Sequence, residues 1–402
     1  MNFDKNRQTS GLSINEFLEG MVKSELDYDL IIVGAGPAGC SAAIALAQSN
    51  LKVLLLDKDN FPRDKICGDA IPDWAFNDLE YVSPGFRKEF LDQCKPHTFN
   101  RSSIITPNGR KLTMNWTRPG YMLPRRQFDS YLLDKVVATG KITLKQSCKV
   151  EDVISLPNEN VLVKCSHSSE FTARIVIGAD GPKSVVSKKL AAYTVKVNQF
   201  GSALRAYYSN ANVEDETESM VFVEKKYRSG YFWIFPLGGG RVNVGFGMLH
   251  KKRNKINSRK AFLYFLEHNK AVREIMNDAV PDSDIGGGGL PFALKRRKLS
   301  GPNFILVGDA ASLVDPFSGD GIQNATKSGV LAATYAMKAI NENRINADFL
   351  YGYDTELYKK LWPDLRKRGL MMKIGSIFPG LIYLGIRIGS FPLVHKWLKS
   401  WV

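Results

Sequence analysis

The chain has 402 residues, a hydrophobic content of 44%, a charged content of 24% and a formal net charge of +15. These values are ordinary for a globular protein, and the length allows a large core in two closely joined domains. The positive charge lacks a nucleic-acid-binding motif or basic–aromatic alternation, so we expect no nucleic-acid partner. Five cysteines, an odd number without paired spacing, exclude a disulfide framework and favour reduced thiols in the cytosol.

The first 26 residues are polar and mixed in charge, without the apolar run of a signal peptide, and are expected to form a loose extension or a short helix around residues 14–22. A buried strand then runs into a glycine-rich turn, in residues 28–39 (YDLIIVGAGPAG). Small residues continue the turn into a helix that can lie close to a sheet. A second strand ends in an acidic residue, 18 residues past Gly39, that can accept hydrogen bonds from ribose hydroxyls. The order predicts a dinucleotide site formed by Gly34, Gly36, Pro37, Ala38, Gly39 and Asp57.

The remaining elements alternate between helical and strand patterns. Helices are predicted at 74–95, 125–139, 258–277 and 321–340, and strands at 102–106, 111–116, 142–150, 161–165, 171–177 and 303–307. Residues 196–249 form a β-rich block with many aromatic residues, and 286–289 are expected to be a flexible glycine passage. Residues 376–402 are very apolar but contain two prolines and an arginine, which makes them a poor membrane span. An interfacial amphipathic segment and core packing both remain open for them.

Two further motifs indicate a ligand larger than a simple dinucleotide. Residues 178–184 (GADGPKS) and 308–322 (GDAASLVDPFSGDGI) each follow an apolar strand that can return to the first sheet. Asp309 can accept from ribityl hydroxyls, and Gly319 and Gly321 leave room for a flat ring beside the backbone. The following helix N-terminus can stabilise negative charge on the N1–C2 edge of a reduced flavin. The three motifs together predict FAD.

These residues resemble the FAD-dependent para-hydroxybenzoate hydroxylase-like superfamily and, within it, the geranylgeranyl reductase family. The narrower signals are residues 61–69 (FPRDKICGD), 231–236 (YFWIFP), 242–245 (VNVG) and 315–322 (DPFSGDGI). The resemblance implies an α/β fold in which a Rossmann-like FAD-binding domain of the glutathione reductase type is interleaved with a β-sheet substrate domain. The domain boundaries expected are 1–26 for the extension, 27–95, 125–182 and 300–345 for the FAD-binding domain, 96–124 and 183–299 for the substrate domain, and 346–402 for a helical, apolar C-terminal region.

The resemblance also implies roles for individual residues. Cofactor contacts are expected, beyond the first glycine turn, at Lys58, Arg63, Cys67, Gly68, Arg125, Val150, Asp180, Gly181, Gly308, Asp309, Gly319, Gly321 and Ile322. Cys67 would lie beside the flavin, in proton delivery or positioning, with a buried inert thiol as the alternative. Tyr231, Trp233 and Phe235 alternate along a strand and so face one side, either as a substrate wall or as core. The five histidines form no spaced pair, so no metal site is expected.

Similar proteins reduce isolated C=C bonds in prenyl chains, so the expected activity is FAD-dependent reduction of a hydrophobic substrate, with NAD(P)H or a reduced carrier protein as electron donor. The alternative is a flavin-dependent monooxygenase or halogenase, for which Lys95 would be the candidate catalytic lysine. A membrane-surface protein that binds flavin for structure is a third interpretation.

We expect a cytoplasmic protein, with possible peripheral contact to the membrane. The basic charge fits an anionic bilayer, an acidic electron donor or simply solvated faces. The oligomeric state stays open. Asp69, where many reductases have another glycine, and Gln323 depart from the family pattern.

Overall fold

A computed structural model describes residues 26–157, 159–228, 230–249 and 256–377, which form two β-sheets and their covering helices. The strands are β1 Tyr28–Val33, β2 Val53–Leu56, β3 Ala70–Pro72, β4 His97–Ile105, β5 Lys111–Met122, β6 Ile142–Lys145, β7 Val150–Ser155, β8 Val161–Cys165, β9 Glu170–Gly178, β10 Phe200–Ser209, β11 Glu218–Phe222, β12 Gly230–Gly238, β13 Arg241–Leu249, β14 Val280–Pro281, β15 Gly286–Pro291, β16 Ser300–Gly301 and β17 Phe304–Leu306. The α-helices are α1 Pro37–Leu46, α2 Asn77–Val82, α3 Phe86–Cys94, α4 Arg125–Ala138, α5 Val185–Leu190, α6 Ser258–His268, α7 Lys270–Met276, α8 Ile322–Asn341 and α9 Ala347–Ile377.

The first sheet has the order β16-β17-β9-β1-β2-β6, with β8 pairing β9 and β7 pairing β8. Its centre is parallel: β1 pairs β2 on one side and β9 on the other. Parallel strands covered on both faces are continuously apolar, which is why the side chains of Leu30 to Val33 in β1 and of Val53 to Leu56 in β2 are all buried. Helix α1 packs closely on α8. The two helices are so close that a Cβ on Gly329 would lie 2.2 Å from the Ala38 carbonyl oxygen. This contact explains the small residues predicted for α1.

The second sheet has the order β14-β10-β13-β12-β11-β4-β5-β3, with β15 also pairing β10. One face of β12 and β13 packs on helices α6 and α7, and the rings of Phe232 and Phe265 stack there at 5.0 Å. Because side chains alternate across a strand, the neighbours Tyr231, Trp233 and Phe235 lie on the opposite face. That face contacts Gly68 at one end and residues 318–319 at the other.

Several elements differ from the sequence-based expectation. Strands β4 and β5 are longer than predicted, and the helices expected at 74–95 and 258–277 are each interrupted, the first around Gly85 in a left-handed conformation and the second at Asn269, whose side chain caps α7. The expected flexible glycine passage is instead strand β15, paired with β10 through residues 286–291. Glycine weakens strands, but here Ile66 fills the space that side chains would occupy, since Cβ atoms on Gly286 and Gly288 would come within 2.3 and 3.1 Å of it.

The predicted N-terminal extension and most of the apolar segment 376–402 lie outside the described residues. Within the part of the chain that the structure describes, no helix is both long and apolar enough to cross a membrane. Strand β3 lies within the range 27–95 but pairs with β5 in the second sheet. The domain boundaries remain a prediction.

Candidate active site

The glycine turn after β1 has no room for side chains on one side and open space on the other. Gly34 has φ +103°, and a Cβ there would lie 2.5 Å from the carbonyl oxygen of Ala179. A Cβ on Gly39 would lie 1.8 Å from the Gly34 carbonyl oxygen, so the turn and α1 are in direct contact. A Cβ on Gly36 would instead have open space around it, with an Arg63 guanidinium nitrogen as its nearest neighbour at 3.7 Å among the described residues outside its own helix. Helix α1 begins there without a side-chain cap, which leaves its first N–H groups for an anion.

The three predicted motifs converge on this turn. Ala179, which precedes the Asp180-Gly181 motif, lies against Gly34, and a Cβ on Gly308 would lie 3.0 Å from the Ala38 Cβ. Gly308 has φ +55° and opens a short 3-10 helix, Gly308–Ala311, that carries Asp309. Stretches separated by up to about 270 residues of sequence therefore meet at the carboxyl ends of β1, β9 and β17. In open α/β sheets this edge is where ligands bind.

Two of the predicted carboxylates already have backbone partners. Asp57 is buried, and its Oδ2 accepts from the N–H of Ala35 at 2.7 Å while its Oδ1 accepts from the N–H of Asp59. Burial raises its pKa. Asp180 Oδ2 accepts from the N–H of Val185 at 2.6 Å, whereas its buried Oδ1 has no hydrogen-bond partner among the described residues. A buried acceptor without a donor at this position suits the hydroxyl of a bound ligand.

Residues 63–65, which we call the charged strap, cross the site and form ion pairs with three different elements. Arg63 was a predicted cofactor contact, but its two neighbours were not. The pairs join Arg63 Nη1 to Asp129 Oδ2 of α4 at 2.7 Å, Asp64 Oδ2 to Arg205 Nη2 of β10 at 2.6 Å, and Lys65 Nζ to Asp309 Oδ2 at 3.0 Å. The strap therefore links both sheets to the third motif and places the Arg63 guanidinium beside the glycine turn.

Arg125 is buried at the start of α4 and held by its own helix. Its Nε and Nη2 donate to the two carboxylate oxygens of Asp129, both at 2.6 Å, in a bidentate pair. Burial alone would raise the pKa of Asp129, but the charges of Arg125, Arg63 and Lys65 together with the hydrogen bonds from Arg125 outweigh it, and the pKa is lowered. The Arg125 charge also acts on Cys67, where it opposes the increase in pKa that burial causes. The net pKa of Cys67 is raised, so its thiol stays protonated at neutral pH.

Tyr231, Trp233 and Phe235 form one continuous surface, which we call the aromatic wall. Adjacent ring centroids are 6.0 Å apart in both pairs. A Cβ on Gly68 would lie 3.0 Å from the Phe235 ring, so the Cys67–Gly68 turn packs directly on one end of the wall. At the other end, the Tyr231 hydroxyl donates to the carbonyl oxygen of Ser318 at 2.5 Å.

Residues 315–321, which we call the flavin loop, lead into α8. Asp315 is buried; its Oδ1 accepts from the N–H groups of Phe317 and Ser318, and its Oδ2 pairs with Arg368 of α9 at 2.5 Å. Gly319 has φ +76°, and a Cβ there would lie 3.0 Å from the Tyr231 hydroxyl. Helix α8 starts at Ile322, whose N–H donates to Asp320 Oδ1 at 3.0 Å, and the positive end of the helix dipole faces the flavin loop. The fit of these residues to FAD remains a prediction.

The other predicted residues are less intimately placed. Lys58 is exposed and lies 3.5 Å from Asp59, and Val150 is buried at the start of β7. Gly181 has φ +79° with open space around it. Lys95, the candidate halogenase lysine, is exposed at the C-terminal end of α3. Among the described residues, no cluster of His, Cys, Asp or Glu could hold a metal ion.

Comparisons with known proteins agree with this geometry. The family model for the geranylgeranyl reductase catalytic domain matches residues 200–280, and that for lycopene cyclase protein matches residues 29–211. Digeranylgeranylglycerophospholipid reductase 2 of Methanopyrus kandleri is 31% identical over 337 residues, which cover 82% of this chain and 81% of that protein. The chain belongs to the geranylgeranyl reductase family. Digeranylgeranylglycerophospholipid reductase of Methanosarcina mazei is also 31% identical, over 84% of this chain and 81% of that protein.

Solved structures give the same fold. A geranylgeranyl bacteriochlorophyll reductase-like protein from Thermoplasma acidophilum superposes with a TM-score of 0.76 at 23% identity, over 93% of this chain and 99% of that one. A mutant of the halogenase PltM in complex with FAD superposes with a TM-score of 0.70 at 19% identity, over 84% of this chain and 75% of that one. The prediction of an FAD-binding α/β fold is confirmed. This member of the geranylgeranyl reductase family is an FAD-dependent oxidoreductase, and the predicted contacts of individual residues remain predictions.

Sequence reasoning missed the residues whose side chains pair with the predicted site residues and support them. Asp64, Lys65, Asp129, Arg205, Asn243 and Arg368 make long-range pairs or buried hydrogen bonds. Asp64, Lys65 and Asn243 lie in the quoted motifs, but their partners were not predicted. Only Asp129 left a local signal, because it follows Arg125 by four residues on a predicted helix, where such pairs meet. Asp69 was noted as a departure from the family pattern, but not as a buried group.

Proposed function

We propose that this protein reduces isolated C=C bonds in the prenyl chains of a glycerophospholipid. Its relatives are named digeranylgeranylglycerophospholipid reductases, and the observation that carries the proposal is the aromatic wall, enclosed between the Cys67–Gly68 turn and the flavin loop. An apolar surface beside the cofactor suits a hydrocarbon chain, which offers no group for hydrogen bonding. Such a surface also excludes water from the reacting alkene.

The reaction needs a hydride at one alkene carbon and a proton at the other. When bound and reduced, FAD supplies the hydride chemistry. The wall residues hold the alkene, and Cys67 Sγ holds the proton, since its raised pKa keeps the thiol protonated at neutral pH. After the proton has left for the carbon, the Arg125 guanidinium stabilises the thiolate, because its charge favours that form. Electrons are expected from NAD(P)H or a reduced carrier protein.

The test is an anaerobic assay of the purified protein with a reductant and digeranylgeranylglycerophospholipid. Each reduced double bond adds two mass units to the lipid, which mass spectrometry detects. We expect Cys67→Ser to keep its flavin and to slow reduction at least tenfold, the usual effect of losing a positioned acid. Cys94→Ser is the matched control, because Cys94 ends α3 and touches no part of the aromatic wall. A product that forms only with oxygen would contradict the reductase proposal and favour a monooxygenase or halogenase.

We also infer peripheral contact with an anionic lipid surface from the cytoplasmic side. Phe317 of the flavin loop and Leu370 and Ile374 of α9 are large apolar residues with 43%, 58% and 40% exposure. Helix α9 lies beside the flavin loop, since a Cβ on Gly369 would lie 3.5 Å from Pro316. Exposed apolar residues in a chain with a net charge of +15 fit an acidic bilayer.

A vesicle co-sedimentation experiment tests this surface. We expect binding to anionic vesicles that weakens with added salt, and at least fivefold weaker binding for the double variant Phe317→Ser with Leu370→Ser. Tyr351→Ser is the control, because Tyr351 is 55% exposed near the other end of α9. Equal binding by both variants would show that another part of the chain contacts the lipid.

A further inference from the structure

Asn243 lies behind the aromatic wall, and both polar atoms of its side chain form hydrogen bonds. It is fully buried in β13. Its Nδ2 donates to the carbonyl oxygen of Cys67 at 2.9 Å and to Asp69 Oδ2 at 2.8 Å. Its Oδ1 accepts from the indole N–H of Trp233 at 2.9 Å. One amide therefore joins the cysteine turn, a buried carboxylate and the centre of the wall.

Asp69 is held in an unfavourable conformation. It has φ +63°, in the left-handed region where glycine is preferred, and its side chain is fully buried. Its Oδ2 accepts from the Tyr207 hydroxyl at 2.6 Å as well as from Asn243, and its Oδ1 accepts from the backbone N–H of Arg125 at 3.3 Å. Three donors from three elements compensate the conformational strain. Strain that the surroundings maintain in this way is typical of a functional position.

The chemistry of these groups allows only one orientation of the Asn243 amide. An ionised carboxylate can only accept hydrogen bonds, and an indole N–H can only donate. The NH₂ group must therefore face Asp69, and the oxygen must face Trp233. If Asp69 lost its charge or its side chain, the NH₂ group would keep only the Cys67 carbonyl oxygen as acceptor, and the amide, with the indole N–H bonded to its oxygen, would be free to shift toward that carbonyl.

We propose that Asp69 is a positioning residue that fixes Trp233 through Asn243 and thereby determines which double bond of the prenyl chain is reduced. This rests on the proposed function for the identity of the substrate, although the link between Asp69 and Trp233 does not. A prenyl chain repeats the same unit, so the wall has no polar group to distinguish one double bond from the next. The position of the indole against the Cys67–Gly68 turn is what can fix the register, and small displacements of a reacting group cost large factors in rate.

The pKa of Asp69 falls in a pH range that experiments on the protein can reach. Burial raises its pKa to about 6, while Tyr207, Arg205, Asn243 and Arg125 act in the opposite direction. Cys67 is a further titratable group that faces it. Asp69 is therefore mostly ionised at neutral pH and mostly protonated at pH 5, where its carboxyl group can donate. The environment of Trp233 should change over the same interval.

The first experiment measures that change by ¹⁹F NMR of protein labelled with 5-fluorotryptophan, with the Trp233 signal assigned by Trp233→Phe. We expect the signal of the FAD-loaded protein to shift with a midpoint near pH 6, and to be flat in Asp69→Asn and Asp69→Gly. The glycine variant relieves the left-handed strain, so it remains informative if Asp69→Asn folds poorly. Asp73→Asn is the control, because Asp73 is a buried carboxylate bound to Tyr121 and two arginines, outside this network. A titration that persists in both Asp69 variants would overturn the proposal.

The second experiment analyses the partly reduced lipid products of each variant. We expect both Asp69 variants to retain flavin, to raise KM at least fivefold with less than twofold change in kcat, and to spread reduction over more double-bond positions. An unchanged distribution of products together with an unchanged KM would overturn the role in selecting the double bond. If the unaltered protein reduced no prenyl lipid, the proposed function would fail, whereas the ¹⁹F result would still decide the link from Asp69 to Trp233.

Discussion

At the scale of single residues, glycines on β13 decide how closely Trp233 can approach its sheet. A Cβ on Gly245 would lie 2.0 Å from the Trp233 ring, so the indole rests directly on the backbone there. A Cβ on Gly247, two residues along the same face, would lie 3.5 Å from that ring, which is ordinary contact. Both positions have the Trp233 ring as a neighbour, but a Cβ on Gly245 would also lie 2.5 Å from the carbonyl oxygen of Leu204, so backbone crowding adds there to the contact with the ring.

Gly245→Ala should displace Trp233 and destabilise the fold by about 1–3 kcal/mol, as overpacking does. Gly247→Ala is the matched control and should change the free energy of unfolding by less than about 1 kcal/mol. Denaturant unfolding followed by circular dichroism measures both. Equal losses in the two variants would show that the position of Trp233 is not set by this contact.

The raised pKa of Asp69 predicts a pH dependence of stability with a definite sign. Burial raises this pKa to about 6 from an ordinary value near 3.8, so the folded protein holds the proton more tightly than the unfolded chain. Its contribution is therefore complete below about pH 4 and is lost as the pH rises through about 6, by up to roughly 3 kcal/mol. The free energy of unfolding of the unaltered protein minus that of Asp69→Asn should fall over this interval. A difference that stays constant with pH would show that the carboxyl group does not titrate in the fold.

At the scale of elements, the charged strap connects the two sheets through side chains of opposite sign. The Arg205 side chain is 2% exposed, whereas that of its partner Asp64 is 46% exposed. The guanidinium also lies over the Tyr207 ring at 4.0 Å. Removal of the Asp64 carboxylate would leave the buried Arg205 guanidinium without this ion-pair partner. The pair should therefore contribute more to stability than the exposure of Asp64 suggests.

Asp64→Asn should lower the free energy of unfolding by about 2 kcal/mol, because a buried charge loses its partner. Asp92→Asn is the control: its pair with Lys88 lies outside the strap and is exposed at both ends, so its loss should leave the free energy of unfolding nearly unchanged. Thermal unfolding of the two variants compares them. If both were equally stable, the strap would contribute no measurable connection between the sheets.

The long helix α9 acts on the flavin loop through one ion pair. Arg368 holds Asp315, whose other oxygen fixes the loop backbone at Phe317 and Ser318. We expect Arg368→Met to weaken FAD binding by about tenfold, which corresponds to about 1.4 kcal/mol. Fluorescence titration of the flavin-free protein measures this Kd. Lys360→Met, which breaks an exposed pair with Glu356 on the same helix, should leave the Kd unchanged.

At the scale of the whole molecule, the sequence predicted what local patterns encode. The strand, glycine turn, helix and acidic residue of residues 28–57 appear as expected, since each depends on neighbours in the sequence. The convergence of the three motifs followed from the rule that parallel strands end at a common edge. Asp64, Asn243 and Arg368 could not be found in this way, because their partners are 53 to 174 residues distant and their residue types are ordinary on surfaces. Strand β15 was missed because glycines disfavour strands locally, whereas its pairing with β10 and its contact with Ile66 are long-range.

The bare backbone of β15 has a consequence for how the loop beside it can change in evolution or by design. Ile66 lies against two of its four successive glycines, since Cβ atoms on Gly286 and Gly288 would come within 2.3 and 3.1 Å of it, whereas Gly287 and Gly289 face Leu204 and Phe200. A larger or smaller residue at position 66 would therefore alter the spacing between β15 and the charged strap in small steps. Position 66 is thus an adjustable spacer, and relatives in which this spacing differs can be sought by its variation.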